Sequence, residues 1–267
     1  MSYNKTSLDS VCASLAYAMN IESPELANSA SDVLNDLVDD KFNGKKADRI
    51  FMYNPDAIAQ WIYNKYNDYF DSVHEYTDIE LPLCSVMPSV TPVCFATMYT
   101  GTQPEVHGIR KYEKPVLKTD SIFDSLIREG KKTAIVAESK SSMAMIYLEK
   151  DMDYYIYDTI EEVNAKAKEL INEDKYDFIA VYNGDYDSMM HKFGPEGEIP
   201  LSKLKLNCEA FVEFASLIKD KWKCHNTLIG FAMDHGCHEI DGECGSHGLD
   251  MEEDLNIVHL YGAYPAE

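Results

Sequence analysis

The stretch MDHGCHEIDGECGSHG, residues 233–248, places three histidines, two cysteines and four acidic residues in sixteen positions. Imidazole, thiolate and carboxylate are the donors that hold divalent transition metals. The question is which of these side chains bind an ion, and whether that ion is a structural staple or a reaction centre. A closed structural zinc site would join Cys237 and Cys244 to histidines in tetrahedral coordination. Six residues separate the two cysteines, several of them acidic, and this fits no familiar knuckle. Asp234–His235–Gly236 offers the other reading. It follows a strongly apolar run, and the glycine permits the sharp turn that lets adjacent side chains converge on one ion.

Two further segments carry chemistry. In GDYDSMMHKFGP, Asp187 and His191 stand four apart, so a helical turn would face them the same way. Carboxylate plus imidazole suits Zn²⁺, Mn²⁺ or Fe²⁺ better than Ca²⁺, and Asp185 is a rival ligand. In SVTPVCFATMYTG, Thr91 and Pro92 predict a helix start with Thr91 at the N-cap and Pro92 at the first helical position. The ordinary reading is a cap. The chemical reading places the hydroxyl in a positive field beside free N–H groups, which suits an alkoxide nucleophile or a phosphate oxygen.

These residues need a frame. Residues 1–47 read as two helices, LDSVCASLAYAMNI and ELANSASDVLNDLVDDKF, that precede the sheet and cover it or a dimer contact; they hold no histidine. The main domain is residues 48–267, in which apolar strand-like runs alternate with amphipathic helices. RIFMYN is a strand, followed by a helix PDAIAQWIYNKY with Pro55 in its first turn. IELPLCSVMP, KKTAIVAES, DYYIYDT, YDFIAVYNG, TLIGFAMDHG and NIVHLYGA read as further extended runs. Helical crossovers between strands mean a mostly parallel sheet covered on both faces. In such sheets ligands bind past the carboxyl ends of strands. Asp56, Thr91, Asp187, His191, Asp234 and His235 follow strand ends, and His247 lies in the glycine-rich loop after them.

Composition narrows the partners. Lys plus Arg is 24 against 46 Asp plus Glu, a net charge of −22. Such a field repels nucleic acid and anionic membranes, so neither is expected as a partner. An anionic substrate needs local positive charge, which divalent cations supply. No apolar run is long enough to span a bilayer and the N-terminus lacks an export signal. Seven cysteines, with no C-x-x-C pair, read as reduced thiols in a cytoplasmic protein. A homo-oligomer is compatible with all of this.

Taken in order, the motifs carry a family resemblance. PSVTPVCFATMYTGTQPEVHGI resembles the nucleophile segment of the alkaline phosphatase superfamily, in its type I phosphodiesterase/nucleotide pyrophosphatase branch. There a Thr or Ser precedes a short helix, a T-G and P-E-x-H-G-I. YDSMMHKFGP resembles that branch's D-x-x-G-H-x-x-G-P segment, MDHG its D-H-G, and GSHG its closing metal histidine. Asp56–Ala57 stands where the branch has D-G after the first strand. The resemblance implies a three-layer α/β/α sandwich and two divalent ions, Zn first and Mn second. Asp187, His191 and His247 would hold one ion; Asp56, Asp234 and His235 the other, with Thr91 as a further ligand. It implies hydrolysis of a small phosphoric ester (a phosphodiester, pyrophosphate or phosphomonoester) with Thr91 as nucleophile. Cys94 stands where the branch has an Asn that contacts a substrate phosphate oxygen. His238 is a reserve candidate for a supporting or substrate role.

Neighbouring chemistries fit less well. A sulfatase resembles C-x-P-x-R at its nucleophile, which CFATM does not match. A mutase needs an inserted domain for which the chain has no room. The alternative from another class is a degenerate or regulatory metal-binding member without efficient turnover, suggested by Cys94 and the short chain.

Overall fold

Short apolar runs build one central sheet. In the computed structural model, which describes residues 2–267, the strands are β1 (Thr6–Ser7), β2 (Arg49–Pro55), β3 (Ile79–Cys84), β4 (Thr133–Glu138), β5 (Asp153–Tyr157), β6 (Phe178–Asn183), β7 (Thr227–Phe231), β8 (His238–Ile240), β9 (Cys244–Ser246) and β10 (Asn256–Tyr264). β8 and β9 form a separate small hairpin. The other eight pair in the order β1-β3-β10-β7-β2-β6-β4-β5. Every neighbouring pair is parallel except the two made by β10, which runs antiparallel to β3 and β7. The carboxyl ends of β2, β3, β4, β6 and β7 therefore share one edge.

Side chains of β2 show why there are layers on both faces. Successive residues of a strand point to opposite sides. Phe51 and Tyr53 meet Phe214 of the long helix Glu198–Lys221, with ring centroids 5.3 and 5.6 Å away. Asn54 points the other way, where its Oδ1 accepts the Tyr99 hydroxyl at 2.7 Å from the helix Thr91–Thr100. The fold is a three-layer α/β/α sandwich around a mostly parallel sheet. Among the described residues, no helix is long and apolar enough to cross a membrane.

Local details differ from the expectations in three places. Residues 1–47 do not all precede the sheet, because β1 pairs with β3 as its edge strand. The expected helix over residues 25–42 begins only at Asp32. Before it, Asn28 donates its N–H to the Gly101 carbonyl at 2.7 Å, which holds that stretch against the end of the helix Thr91–Thr100. Pro55 is not in the first turn of a helix but ends β2; the helix starts at Gln60. The Asp56 N–H continues the sheet ladder to the Asn183 carbonyl at 3.0 Å, and Ala57 then turns the chain with a left-handed φ of 61°.

Candidate active site

The strand ends bring the expected side chains into two adjoining groups. Asp187, His191 and His247 form one; Asp56, Asp234 and His235 form the other. Within each, donor atoms lie within 4.8 Å of one another. Asp187 and His191 share a face of the helix Asp185–Phe193, as their spacing requires. The groups touch through their imidazoles, since the His235 and His247 ring centroids are 4.1 Å apart.

The three histidines are prepared alike. His191 Nδ1 lies 3.0 Å from the Gly245 carbonyl, His235 Nδ1 2.9 Å from the Gly236 carbonyl, and His247 Nδ1 2.8 Å from the Ser89 carbonyl. A carbonyl only accepts, so each Nδ1 carries a proton and Nε2 is the ring atom left to face an ion. This is the outer-shell arrangement that orients imidazole ligands. The Nε2 atoms of His191 and His247 face each other at 3.2 Å, and Asp187 Oδ1 lies 3.3 and 3.4 Å from them. Asp187 draws a proton onto these rings, and a divalent cation between them would take that proton's place.

The carboxylates make the same demand. Asp187 Oδ1 and Asp234 Oδ2 are buried without a hydrogen-bond partner, whereas buried polar atoms are ordinarily satisfied. Asp234 Oδ1 accepts the Ala57 N–H at 3.2 Å, and Asp56 Oδ2 accepts the Tyr182 hydroxyl at 2.5 Å. Burial, and then the charge of Asp187, pushes the Asp56 carboxyl up to about 7. Burial and the charge of Asp56 raise Asp234 well above the carboxylate range. Burial lowers His235 to about 3, which keeps it neutral. The Asp187 carboxylate beside its Nε2 outweighs burial at His191 and raises it to about 9. Burial opposes ionisation of Asp187, but the two imidazoles beside it win and its pKa falls. Without cations, burial drives Asp56 and Asp234 toward their neutral forms and Asp187 stays ionised only beside its imidazoles; the residues present fit two divalent ions, which would let these carboxylates ionise.

Thr91 is not an ordinary cap. Val90 occupies the N-cap, Thr91 is the first helical residue, and no side chain caps the helix. The Thr91 hydroxyl lies instead 3.5 Å from Asp56 Oδ1 and 3.4 Å from His235 Nε2. An open cleft of about 210 Å³ reaches it, lined near the hydroxyl by Asp56, Asp187, Glu138 and Tyr182.

Other expectations are revised by position. Cys94 does not line the cleft. It is fully buried and accepts from Ser85 Oγ at 3.2 Å, so the thiol makes no contact with a molecule in the cleft. Cys237 is buried beside Tyr186, and the half-buried Cys244 faces the Lys192 carbonyl; neither belongs to a metal-ligand group. Asp185 is held by Lys203 at 2.7 Å. His238 lies outside both groups and bonds through Nδ1 to the buried Asp254 at 2.7 Å. Asp254 also accepts the N–H groups of Leu249 and Gly236, each at 2.8 Å, which ties both ends of the loop that carries His235 and His247. Gly236 is required for a different reason than a turn. A Cβ there would sit 2.0 Å from the Glu253 carbonyl oxygen.

Sequence reasoning missed Tyr182, although it stands next to the last residue of β6 and could have been found by reading strand ends. It also missed the carbonyls of Ser89 and Gly245, which carry no sequence signal because any residue type supplies them.

Two Asp/His groups and a hydroxyl at the carboxyl edge of such a sandwich define a member of the alkaline phosphatase superfamily, a phosphoester hydrolase. Residues 77–261 match the type I phosphodiesterase/nucleotide pyrophosphatase family, and the chain belongs to it. The match begins after β2, so Asp56 lies outside it. Among solved structures, human ectonucleotide pyrophosphatase/phosphodiesterase 5 superposes with a TM-score of 0.63 at 14% identity, over 81% of this chain and 88% of that one. The murine protein of the same name gives 0.61 at 13%, with the same coverage of both chains. So does its inactive threonine-to-alanine form in complex with AMP. At these identities the likeness concerns the fold. A search among curated proteins finds no match.

Proposed function

We propose that the chain hydrolyses a small phosphoric ester through a covalent phosphothreonine at Thr91. In this reading Asp187, His191 and His247 hold one divalent ion, and Asp56, Asp234 and His235 hold a second that Thr91 also approaches. Zn²⁺ suits the mixed nitrogen and oxygen donors best, with Mn²⁺ next. The observation that carries the reading is the Thr91 hydroxyl, which caps nothing and points at Asp56 and His235. When bound, the ions supply the positive charge that favours the deprotonated hydroxyl and offsets charge on the reacting oxygens.

The chain's own residues do the rest. Asp56, braced by Tyr182, orients the Thr91 hydroxyl. Thr91 Oγ1 attacks phosphorus; the new P–O bond forms as the bond to the leaving oxygen breaks, and the proton given up by Thr91 passes through solvent in the open cleft to that oxygen, which departs as the alcohol. Water then attacks the same phosphorus from the opposite side, which frees Thr91 and releases the phosphoryl product. Residues 1–47 carry no catalytic group in this scheme and brace the nucleophile helix: Cys12 Sγ donates to the Tyr99 carbonyl at 3.3 Å and Gln103 Nε2 to Asp9 at 2.6 Å. Seven unpaired cysteines fit a reducing compartment, the cytoplasm.

Two in-line displacements retain configuration at phosphorus. An oxygen-isotope experiment on a chiral phosphate ester should show retention. Thr91→Ala should lower turnover by several orders of magnitude, as loss of other activated nucleophiles does, and Thr91→Ser should keep part of it. Inversion at phosphorus would show that water attacks in one step and that Thr91 is no nucleophile.

A further inference from the structure

The wall of the cleft opposite the metal-ligand groups is of a different character. It is built by the segment after His107 and by the turn after β4, and it presents Tyr112, Lys114, Lys140, Ser141 and Ser142. Lys114 Nζ donates to the Lys140 carbonyl at 2.6 Å and lies 5.2 Å from the centre of the Tyr112 ring, which joins the two segments. Lys140 has a left-handed φ of 64°, a strained position for a residue with a side chain. In a chain of net charge −22, two lysines line the cleft, and neither has an ion pair among the described residues.

The lining holds no Leu, Ile, Val, Met, Phe or Trp. Of its two rings, Tyr182 is buried with its hydroxyl on Asp56, and Tyr112 is 62% exposed. Sites for flat organic groups are mostly apolar and about 300–1,000 Å³; this cleft is about 210 Å³ and lined by hydroxyl, ammonium and carboxylate groups. It offers little to the faces of a nucleobase and much to an anion.

We propose that Lys114 and Lys140, with the neighbouring serine hydroxyls, bind a second phosphate on the leaving part of the substrate. The enzyme then selects small, hydroxyl-bearing bisphosphates over nucleotides. This rests on the hydrolase reading above, and the test separates the two. With Zn²⁺-reconstituted protein, kcat/KM is measured for propyl phosphate and for propane-1,3-diyl bisphosphate, which differ in the second phosphate. The wild type should favour the bisphosphate. Lys114→Gln and Lys140→Gln should each lower that ratio about 10-fold, as expected for a charged hydrogen-bond partner, and Lys114→Arg should keep most of it. Calorimetric binding of both compounds to Thr91→Ala, with and without the lysine changes, gives the same ratio without turnover. If neither compound is hydrolysed, the binding ratio still decides the lysine wall, and the hydrolase reading is decided separately by the chiral-ester experiment. Because the Lys140 side chain is exposed, Lys140→Gln decides alone if the Lys114 variant unfolds. A ratio unchanged within two-fold by both changes, or wild-type preference for the p-nitrophenyl ester of adenosine 5′-monophosphate over the bisphosphate, would overturn the proposal.

Discussion

Replacing Asp56 by Asn should make the metal-free protein more stable as the pH rises. Asp56 is 1% exposed and its carboxyl is raised from 3.8 to about 7, first by burial and then by the charge of Asp187. A raised carboxyl pKa contributes stability that is complete below the unfolded value and is lost as pH climbs to the folded one. Between pH 5 and pH 7 the wild type loses about two pH units of this stabilisation, on the order of 3 kcal/mol. Asn has no such titration, and its Oδ1 can still accept the Tyr182 hydroxyl. The contribution of His235, neutral down to about pH 3, is common to both proteins and cancels in the difference. The stability gap in favour of Asp56→Asn should therefore widen by about 3 kcal/mol from pH 5 to pH 8, or roughly 5–10 °C in Tm for a chain of this size. Thermal unfolding followed by circular dichroism, in chelator, reads it directly. Zn²⁺ at about 100 times its Kd should then raise the wild type by about 2.7 kcal/mol per site, while the variant keeps only the share of the Asp187 group, so most of the gap closes. A gap that stays constant or shrinks between pH 5 and pH 8 would refute the argument that the cost of burying the Asp56 carboxylate is what an ion offsets.

Elemental analysis of Zn²⁺-reconstituted protein should find more than one ion per chain; His191→Ala or His247→Ala should lower the count, and Cys237→Ala with Cys244→Ala should leave it unchanged. Gly236→Ala forces a Cβ to within 2.0 Å of the Glu253 carbonyl oxygen and should cost about 3 kcal/mol in chemical denaturation, along with metal affinity. Cys94→Asn overfills a fully buried site and should cost about 1–3 kcal/mol without raising diester turnover; a gain in turnover would mean that this side chain reaches the substrate.

Much of the site was legible because it follows from local pattern. An apolar run ending in Asp, as in FAMD or YNPD, already states that a carboxylate stands at a strand end. A spacing of four already states that Asp187 and His191 share a face. What failed was set by distant chain. The helix after Asp56 starts late because the Asp56 N–H pairs with Asn183 on another strand. The helix after residue 25 starts late because Gly101 captures Asn28. Cys94 occupies the expected position along its helix, but which way that position faces depends on Ser85 and on the packing beneath it. The direction of β10 had no local signature at all, since NIVHLYGA pairs equally well in either sense until β3 and β7 flank it.

That central strand also sets an order of events during synthesis. β3, which leads to Thr91, pairs only with the two-residue β1 and with β10. The strands that lead to Asp56, Asp187 and Asp234 lie on the other side of β10. As the chain leaves the ribosome, the nucleophile's strand thus waits without a lasting neighbour until residues 256–264 have emerged and slid between the halves. A ribosome halted before Asn256 would carry every ligand and the nucleophile in one nascent chain, yet no seam to hold them in register. A chain that stops before Asn256 should therefore hold the nucleophile and every candidate ligand yet show no turnover.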